Sequence, residues 1–591
     1  MISHNELRQL YLNFFEERGH TVIEASPLVL QGDATTLFTS SGMQPLVPFL
    51  SSREVYPSGK RLVNIQPCVR TQDIDEVGDN RHTTFFEMMG NWSLGDYFKG
   101  EQLSWIWEFF TDTLSLPREK LYVTVYAGGS GVGQDEESAA EWRKLGVDDN
   151  HIFYYESNWW SRSGRPEQMP SGEIGGPDAE IFYDFGEGSH NGPESNESRF
   201  LEIANSVFIE YEKQANGTLQ KLPQKGVDFG GGLERTLAAI EGEKDIFRTS
   251  LFMPIIQSAE EILHASYEGN ASHIRVIADH MRASIFLIKD GVIPSNKEHG
   301  YVLRRLLRRA AIKVYQMTGG TDKLYDLAHI VPPVLNVFQG TYTNNTDPAQ
   351  YQAVIHDEMD KFQHSLKKGL QLLKKKDQIT GKEAFDLFQS YGFPVEVTRE
   401  LLKEGGHELD MESFLQARKD HQKLSQTASV GKFRGGLAEE SDQVIRYHTA
   451  THLLQQALKD VFGDTIRQEG SNITQERLRF DTHLDHKPTD EEIAKVATIL
   501  NEKIQAGLPV KKCIMKREDA EKIGALSFFR EKYGNEVSVY TIGGEEGKPE
   551  TAYSKEFCGG PHVESTTKIG KINIYKVEKI GAQSVRIYAR S

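Results

Sequence analysis

A multidomain α+β protein is the fold class this sequence predicts, and three observations predict it. Residues 1–241 mix β-branched and aromatic runs with helical segments, in an α/β or α+β pattern, and hold most of the Gly, Trp and aromatic clusters. Residues 242–425 turn helical: apolar side chains recur at three- and four-residue spacing in 273–290 (HIRVIADHMRASIFLIKD) and again in 351–376, which ends in Lys374, Lys375 and Lys376. Residues 441–591 alternate helices with β-like runs such as Ser538–Thr541 and Lys571–Val577, after a Gly- and Ser-rich linker at 426–440. A chain of 591 residues fits three or four domains at roughly 150 residues each.

Composition bounds the function. Hydrophobic content of 38% and charged content of 26% suit a globular protein with an ample core. The 85 acidic against 68 basic residues give a net charge of −17, which excludes unspecific nucleic-acid binding by the molecule as a whole. RNA binding would need a local basic patch. Three cysteines (Cys68, Cys513, Cys558) cannot build a disulfide framework, so a reducing compartment is expected. The N-terminus reads as an amphipathic helix with a capping box from Ser3 and Glu6, not as a targeting peptide. No apolar run reaches about 20 residues, so the expected location is the cytoplasm.

The stretch Pro67–Phe98 reads as strand, polar loop, strand. Val69 and Arg70 end one extended run, Asp73 to Asn80 make a turn-rich loop, and Thr83–Met89 suits a returning strand. Arg70 and Arg81 flank the loop, and Phe85 and Phe86 follow it. A guanidinium fork matches phosphate and an aromatic face stacks on a purine, so the pattern fits a nucleotide cradle that is no Walker loop. On spacing alone, surface ion pairs beside core phenylalanines are the commoner arrangement. In Val227–Thr236 (VDFGGGLERT), Asp228, three glycines and Arg235 fall within ten residues. Glycines let a backbone approach a ligand closely, and Glu234 and Arg235 should begin a helix.

Two further patterns lie downstream. YVLRRLLRRAAIK (301–313) sets Arg304, Arg305, Arg308, Arg309 and Lys313 near one helical turn apart, with Leu303, Leu306 and Leu307 toward the core. The stripe suits an RNA backbone, although in isolation a solvated face paired to local acids is the commoner arrangement. RYHTATHLL (446–454) puts His448 and His452 on one helix face, and FCGGPHVE (557–564) puts Cys558 and His562 four apart. Three imidazoles and a thiolate make a tetrahedral zinc set.

These strings together resemble the alanyl family of class II aminoacyl-tRNA synthetases. VRTQDIDEVGDNRHTTFFEMMGNWSLGDYFK is similar to the family's second signature motif and VDFGGGLERT to its third; LFTSSGMQPLVPFL, EIFYD and EIANSVFIEY match further blocks. The resemblance implies an antiparallel sheet flanked by helices, with ATP bent over the sheet. Arg70 would meet the α-phosphate, Arg81 the γ-phosphate, and Phe86 would stack on adenine with Arg235 on its other face or on the phosphates. Asp228 would hold the alanine ammonium. Trp160, Asn205, Val207 and Gly230 would shape the small pocket, and Mg²⁺ would accompany ATP. The loop after Arg70 is short and lacks the family's Gly-Gly-Lys-His segment.

The same resemblance extends to the C-terminus. DGVIPSNKEHGYVLRRLLRRA (290–310) is similar to the acceptor-stem-binding region, so Asn296, Arg304, Arg305 and Arg308 would meet tRNA(Ala), with Gln389 where the family carries Asp. Residues 441–591 are similar to the editing domain shared with threonyl enzymes. There His448, His452, Cys558 and His562 would hold one Zn²⁺, and Thr449 and Gln468 would line a site that hydrolyses mischarged Ser-tRNA and Gly-tRNA. Proofreading is needed because a pocket for alanine discriminates weakly against an added hydroxyl. No β-barrel insertion, heptad tract or C-terminal dimerisation domain is found, so a compact monomer is expected. The expected partners are tRNA(Ala), ATP and L-alanine, with neither DNA nor a membrane. A stand-alone deacylase or a non-catalytic tRNA sensor would each require decay of sites that this sequence retains.

Overall fold

The computed structural model describes residues 2–30, 37–51, 56–186, 188–344, 346–373, 379–391, 395, 398–399, 402, 408–419, 441–463, 466–484, 486–526, 536–579 and 584–591. The expected linker 426–440 and Lys374, Lys375 and Lys376 lie outside them. Two compact units emerge, Met1–Asp410 and Met411–Ser591. Residues 242–410 therefore share a compact unit with residues 1–241.

The first unit is built on one sheet of nine described strands. In chain order they are β1 (Thr21–Val22), β2 (Arg61–Val69), β3 (Phe85–Leu94), β4 (Leu121–Tyr126), β5 (Ile152–Tyr155), β6 (Trp159–Ser161), β7 (Ile174–Asp184), β8 (Phe200–Lys213) and β9 (Leu219–Gly232). Their spatial order is β1-β2-β3-β9-β8-β7-β4-β5, with β6 on β7. The centre is antiparallel, as expected. Parallel pairing occurs only at the two ends, β1 with β2 and β4 with β5. The near-continuous burial of β2 and β3 reflects cover on both faces.

Helices enclose this sheet. Helix α1 (His4–Glu16) starts at Ser3, whose hydroxyl and backbone N–H complete the capping box with Glu6. Helices α2 (Val47–Ser51), α3 (Lys99–Glu108), α4 (Glu136–Lys144) and α5 (Leu233–Glu241) complete the sheet region. The run Gly230–Gly232 ends central strand β9, and α5 begins directly at Leu233. Helices α6 (Met253–Leu263), α7 (Tyr267–Lys289), α8 (Glu298–Thr318), α9 (Val331–Val337), α10 (Pro348–Leu373) and α11 (Gly381–Tyr391) follow. Leu303, Leu306 and Leu307 of α8 are fully buried, as their spacing predicts.

The second unit carries α12 (Asp442–Phe462), α13 (Asp490–Gln505) and α14 (Arg517–Lys522) with two sheets. One has the order β10-β11-β16-β15, from β10 (Gln468–Ile473), β11 (Leu478–His483), β15 (Asn573–Lys579) and β16 (Ser584–Arg590). The other is β12-β13-β14, from β12 (Val510–Lys516), β13 (Glu536–Ile542) and β14 (Ser554–Phe557). Leu453, Leu454, Phe480, Leu500 and Ile587 pack one core between α12, α13 and the larger sheet. Among the described residues no helix is long and apolar enough to cross a membrane.

Candidate functional site

Strand register alone gathers most of the expected site residues of the first unit. Asp228 pairs with Trp92 on one side and Val207 on the other, and Gly230 pairs with Gly90 and Asn205. Val207 in turn faces Asp178, and Asn205 faces Glu180. Side chains alternate faces with period two, so Phe86, Met88, Gly90 and Trp92 on β3, Asp228 and Gly230 on β9, and Asn205 and Val207 on β8 share one face. Glycine is required in the middle of it. A Cβ on Gly90 would lie 2.3 Å from the Trp92 ring, and one on Gly230 would lie 3.0 Å from Met88 Sδ.

Asp228 is buried on this face, and Trp92 Nε1 donates to its Oδ1 at 2.7 Å. Burial pushes its carboxyl up to about 7, against the pull of that indole hydrogen bond. Asn205 Oδ1 is buried with no hydrogen-bond partner among the described residues. Trp160 on β6 packs with Val207, Met43 and Ile209 into a small apolar wall.

A cavity adjoins these residues on the same sheet, lined by Arg70, Arg81, Phe86, Glu202 and Arg235 among others. Arg70 follows the last residue of β2. Its guanidinium carbon stands 4.8 Å above the Phe86 ring, while its Nε donates to Ser40 O at 3.3 Å. One face of Phe86 thus carries Arg70. Arg235 instead pairs with Glu202, its Nη1 3.2 Å from the carboxylate. Arg81 Nη1 donates to Phe200 O at 3.2 Å, and burial draws its guanidinium below the usual range. The loop joining Arg70 to Arg81 opens with a short 3₁₀ turn at Thr71–Asp75.

Four acidic or amide groups beside this cavity escaped the sequence reading. Asn158 Nδ2 lies 2.9 Å from both Asp178 Oδ1 and Glu180 Oε2 and 2.8 Å from Thr124 Oγ1. Burial pushes Asp178 up to about 7 and Glu180 well above the carboxylate range, and the charge of Glu202 adds to both. The available signal was Asp178 and Glu180 alternating with Ala179 and Ile181 on one β-like run.

The opposite face of β3 holds a buried ionic layer. Arg8 of α1 grips Glu87 with two hydrogen bonds of 2.7 and 2.5 Å, and Tyr342 donates to the same carboxylate at 2.8 Å. Glu234, the first-turn acid of α5, pairs with the fully buried Arg282 of α7 at 2.9 Å and accepts from Glu87 N. The two strings that read as nucleotide signals are thus tied beneath the sheet.

Helix α8 differs from the open basic stripe expected of it. Arg308 is 4% exposed, pairs with the buried Glu358 at 2.6 Å and lies over the Phe362 ring. Arg304 reaches the same Glu358 at 3.1 Å and also donates to Asn296 Oδ1. Arg305 pairs with Asp75 at 2.7 Å. The physical reason is the buried acid of α10: one carboxylate at Glu358 draws two guanidinium groups inward. Asn296 itself stays exposed on the loop before α8. Gln389 falls on α11, and its side chain lies outside the described residues.

In the second unit, His448, His452, Cys558 and His562 converge, with one ligand atom from each within 4.8 Å of the others. Helix α12 supplies the first two and the turn after β14 the others. Two imidazoles are oriented through Nδ1, His448 on Pro561 O at 3.0 Å and His562 on Thr449 Oγ1 at 3.2 Å, while His452 Nδ1 lies 3.3 Å from Glu556 Oε2 without a hydrogen bond to it. That leaves the three Nε2 lone pairs for a metal, the usual outer-shell arrangement. Burial holds His448 at about 4 and pushes the Cys558 thiol up to about 12. Three neutral imidazoles and one thiol fit a tetrahedral zinc ion with no open position. Thr449, expected at a substrate site, spends its hydroxyl on His562 and Val563 N. Gln468 begins β10, opposite Thr482.

Comparison with known proteins agrees with both units. The family described as tRNA synthetases class II (A) matches residues 6–477. The threonyl and alanyl tRNA synthetase second additional domain matches residues 537–588. The alanine–tRNA ligase of Treponema denticola is 43% identical over 612 residues, covering 100% of this chain and 99% of that protein. That of Treponema pallidum is 40% identical, covering 99% of this chain and 97% of that protein. That of Rubrobacter xylanophilus is 32% identical, covering 98% of this chain and 78% of that protein. With a sheet that seats both signature strings and a second unit that matches the additional domain, this chain belongs to the class II (A) tRNA synthetases, in the alanine–tRNA ligase family.

Proposed function

We propose that this chain ligates L-alanine to tRNA(Ala) at the expense of ATP and proofreads the product in its second unit. The observation that carries this reading is the single sheet face shared by Asp228, Asn205 and Val207 and adjoining the cavity of Arg70, Arg81, Phe86 and Arg235. Asp228 takes the ammonium of the amino acid, and the unpaired Asn205 Oδ1 accepts a second proton from it. Trp160, Val207 and Gly230 leave room for a methyl side chain.

The alanine carboxylate attacks the α-phosphorus in line, and the bond to the β-phosphate breaks to release pyrophosphate. Little acid–base chemistry is needed, so positioning and charge carry the step. Arg70 and Arg235 neutralise the α-phosphate as charge builds, Arg81 holds the γ-phosphate, and Phe86 offers a stacking face for adenine. Glu202 and Glu180 fit a Mg²⁺ ion, because a divalent cation would relieve the repulsion between the Glu202 charge and the buried Glu180 carboxyl. The terminal ribose hydroxyl of tRNA then attacks the carbonyl of the adenylate, and AMP leaves. Asn296 and Gln389 meet the acceptor stem, with residues 242–425 as the RNA-binding region.

Proofreading falls to residues 441–591, whose quartet fits zinc. A zinc ion there would hold the site's shape or orient the ester of a mischarged tRNA. Around it Thr449 and the Pro561 carbonyl orient His562 and His448, and Gln468 contributes to substrate selection. A cytoplasmic monomer accords with this reading. Amino-acid-dependent ATP–pyrophosphate exchange tests it. Exchange strongest with alanine and weaker with serine and glycine is expected; exchange with none of alanine, serine, glycine and threonine would overturn it.

A further inference from the structure

Helix α8 reaches into the nucleotide loop with more than one arginine. Arg309 Nη1 donates to Ile74 O at 2.6 Å, and its Nη2 donates to Val77 O at 3.1 Å and approaches Asp75 O at 3.5 Å. Arg275 of α7 donates to Gly78 O at 3.2 Å. The end of a 3₁₀ turn leaves such carbonyls without partners of their own, so cations are a fitting cover. Gly78, at φ +134°, lets the loop lie so close to α7 that a Cβ there would stand 3.0 Å from Ser272 Oγ.

The clamp is anchored behind. His280 Nε2 lies 2.9 Å from Arg309 Nη1, and His280 Nδ1 lies 2.9 Å from Asp279 Oδ2. Burial holds His280 at about 4, so it is neutral: Nδ1–H donates to Asp279 and Nε2 accepts from Arg309. The other Asp279 oxygen accepts from Thr84 N at 2.9 Å, and Thr84 O accepts from Arg70 N at 2.9 Å. A chain of hydrogen bonds thus runs from α8 to the backbone of Arg70.

We propose that Arg309, aided by Arg305, is a positioning residue for ATP rather than a tRNA ligand: it fixes the loop whose two ends carry Arg70 and Arg81. Both of its terminal nitrogens are committed to loop carbonyls, and Arg305 is committed to the loop's Asp75 carboxylate. This loop is short, and the clamp holds it at the carbonyls of Ile74, Val77 and Gly78. The inference rests on the alanine-activation reading above and deepens it.

The test compares wild type, Arg309→Lys and Arg305→Ala in alanine-dependent ATP–pyrophosphate exchange, with tRNA affinity measured in parallel. Lysine keeps the charge that a phosphate contact needs but loses the fork that spans two carbonyls. Arg309→Lys is expected to raise KM for ATP about tenfold, with KM for alanine and Kd for tRNA changed less than about twofold. Arg305→Ala, at a half-buried pair, is expected to shift KM for ATP the same way by about threefold. Unchanged KM for ATP with weakened tRNA binding would overturn the assignment. So would a fall in kcat alone, which is what a merely structural arginine gives. Wild type without exchange would instead overturn the activation reading itself.

Discussion

Trp92 Nε1 donates to Asp228 Oδ1 at 2.7 Å across neighbouring strands, and it is the only hydrogen bond to that carboxyl among the described side chains. Burial alone would keep the acid protonated; the indole holds it at about 7, within reach of ionisation by an incoming ammonium.

Asp228→Asn should abolish alanine activation while sparing deacylation, since it keeps the shape and removes the charge. A loss of about 2–5 kcal/mol in kcat/KM for alanine is expected from a buried charge left without its partner. Exchange and Ser-tRNA hydrolysis assays on the same preparation check it; equal loss of both would contradict separate sites.

Alanine binding should strengthen as pH rises through about 7, because only the ionised Asp228 pairs with an ammonium. Folding responds with the opposite sign. The folded pKa is raised, so the protonated form is favoured, and this residue's contribution to stability declines from about pH 4 upward to about pH 7. KM for alanine measured from pH 6 to 8, in wild type and Asp228→Asn, separates this group from others.

Gly90→Ala should damage the same site from the neighbouring strand. The new methyl would sit 2.3 Å from the fully buried Trp92 ring and push the indole off Asp228. Overpacking of this kind costs about 1–3 kcal/mol, readable by urea unfolding, and KM for alanine should rise with it.

Cys558→Ala should lose one equivalent of zinc by elemental analysis and let Ser-tRNA accumulate, with alanine exchange intact. Unchanged zinc content would refute the quartet. Chelation should reproduce the variant and lower the thermal midpoint of the second unit's transition, because metal binding to a preformed site adds to folding free energy.

Glu87→Gln should destabilise the first unit by about 3–5 kcal/mol, since it leaves Arg8 buried without a counter-charge. Denaturant unfolding checks this, and a change under about 1 kcal/mol would mean that the layer beneath the sheet is dispensable.

Local patterns made much of this legible in advance. Strand β3, helix α1 and the four-residue spacings of the metal quartet follow from a β-branched and aromatic run, a capping box and helix pitch, which a single stretch of sequence carries. Pairings between distant residues were not legible. Glu358 draws Arg304 and Arg308 inward from 50 residues or more away, and Asp75 takes Arg305 across 230. Helical spacing identifies a row of cations but not the acids of another helix that meet it. The Asp178, Glu180 and Asn158 cluster escaped for the same reason, because the connection before β6 must pack against β7 before their proximity exists.

The alternation of β3, β8 and β9 also constrains how this chain tolerates changes in length. A single residue inserted within β9 would turn Asp228 toward α1 and bring Phe229 round to the amino acid. The insertion would exchange the two sides of the strand at once, with no intermediate degree of damage. A change in length should therefore be borne only in a connection away from the site, such as 162–173 between β6 and β7, while the strands keep their count.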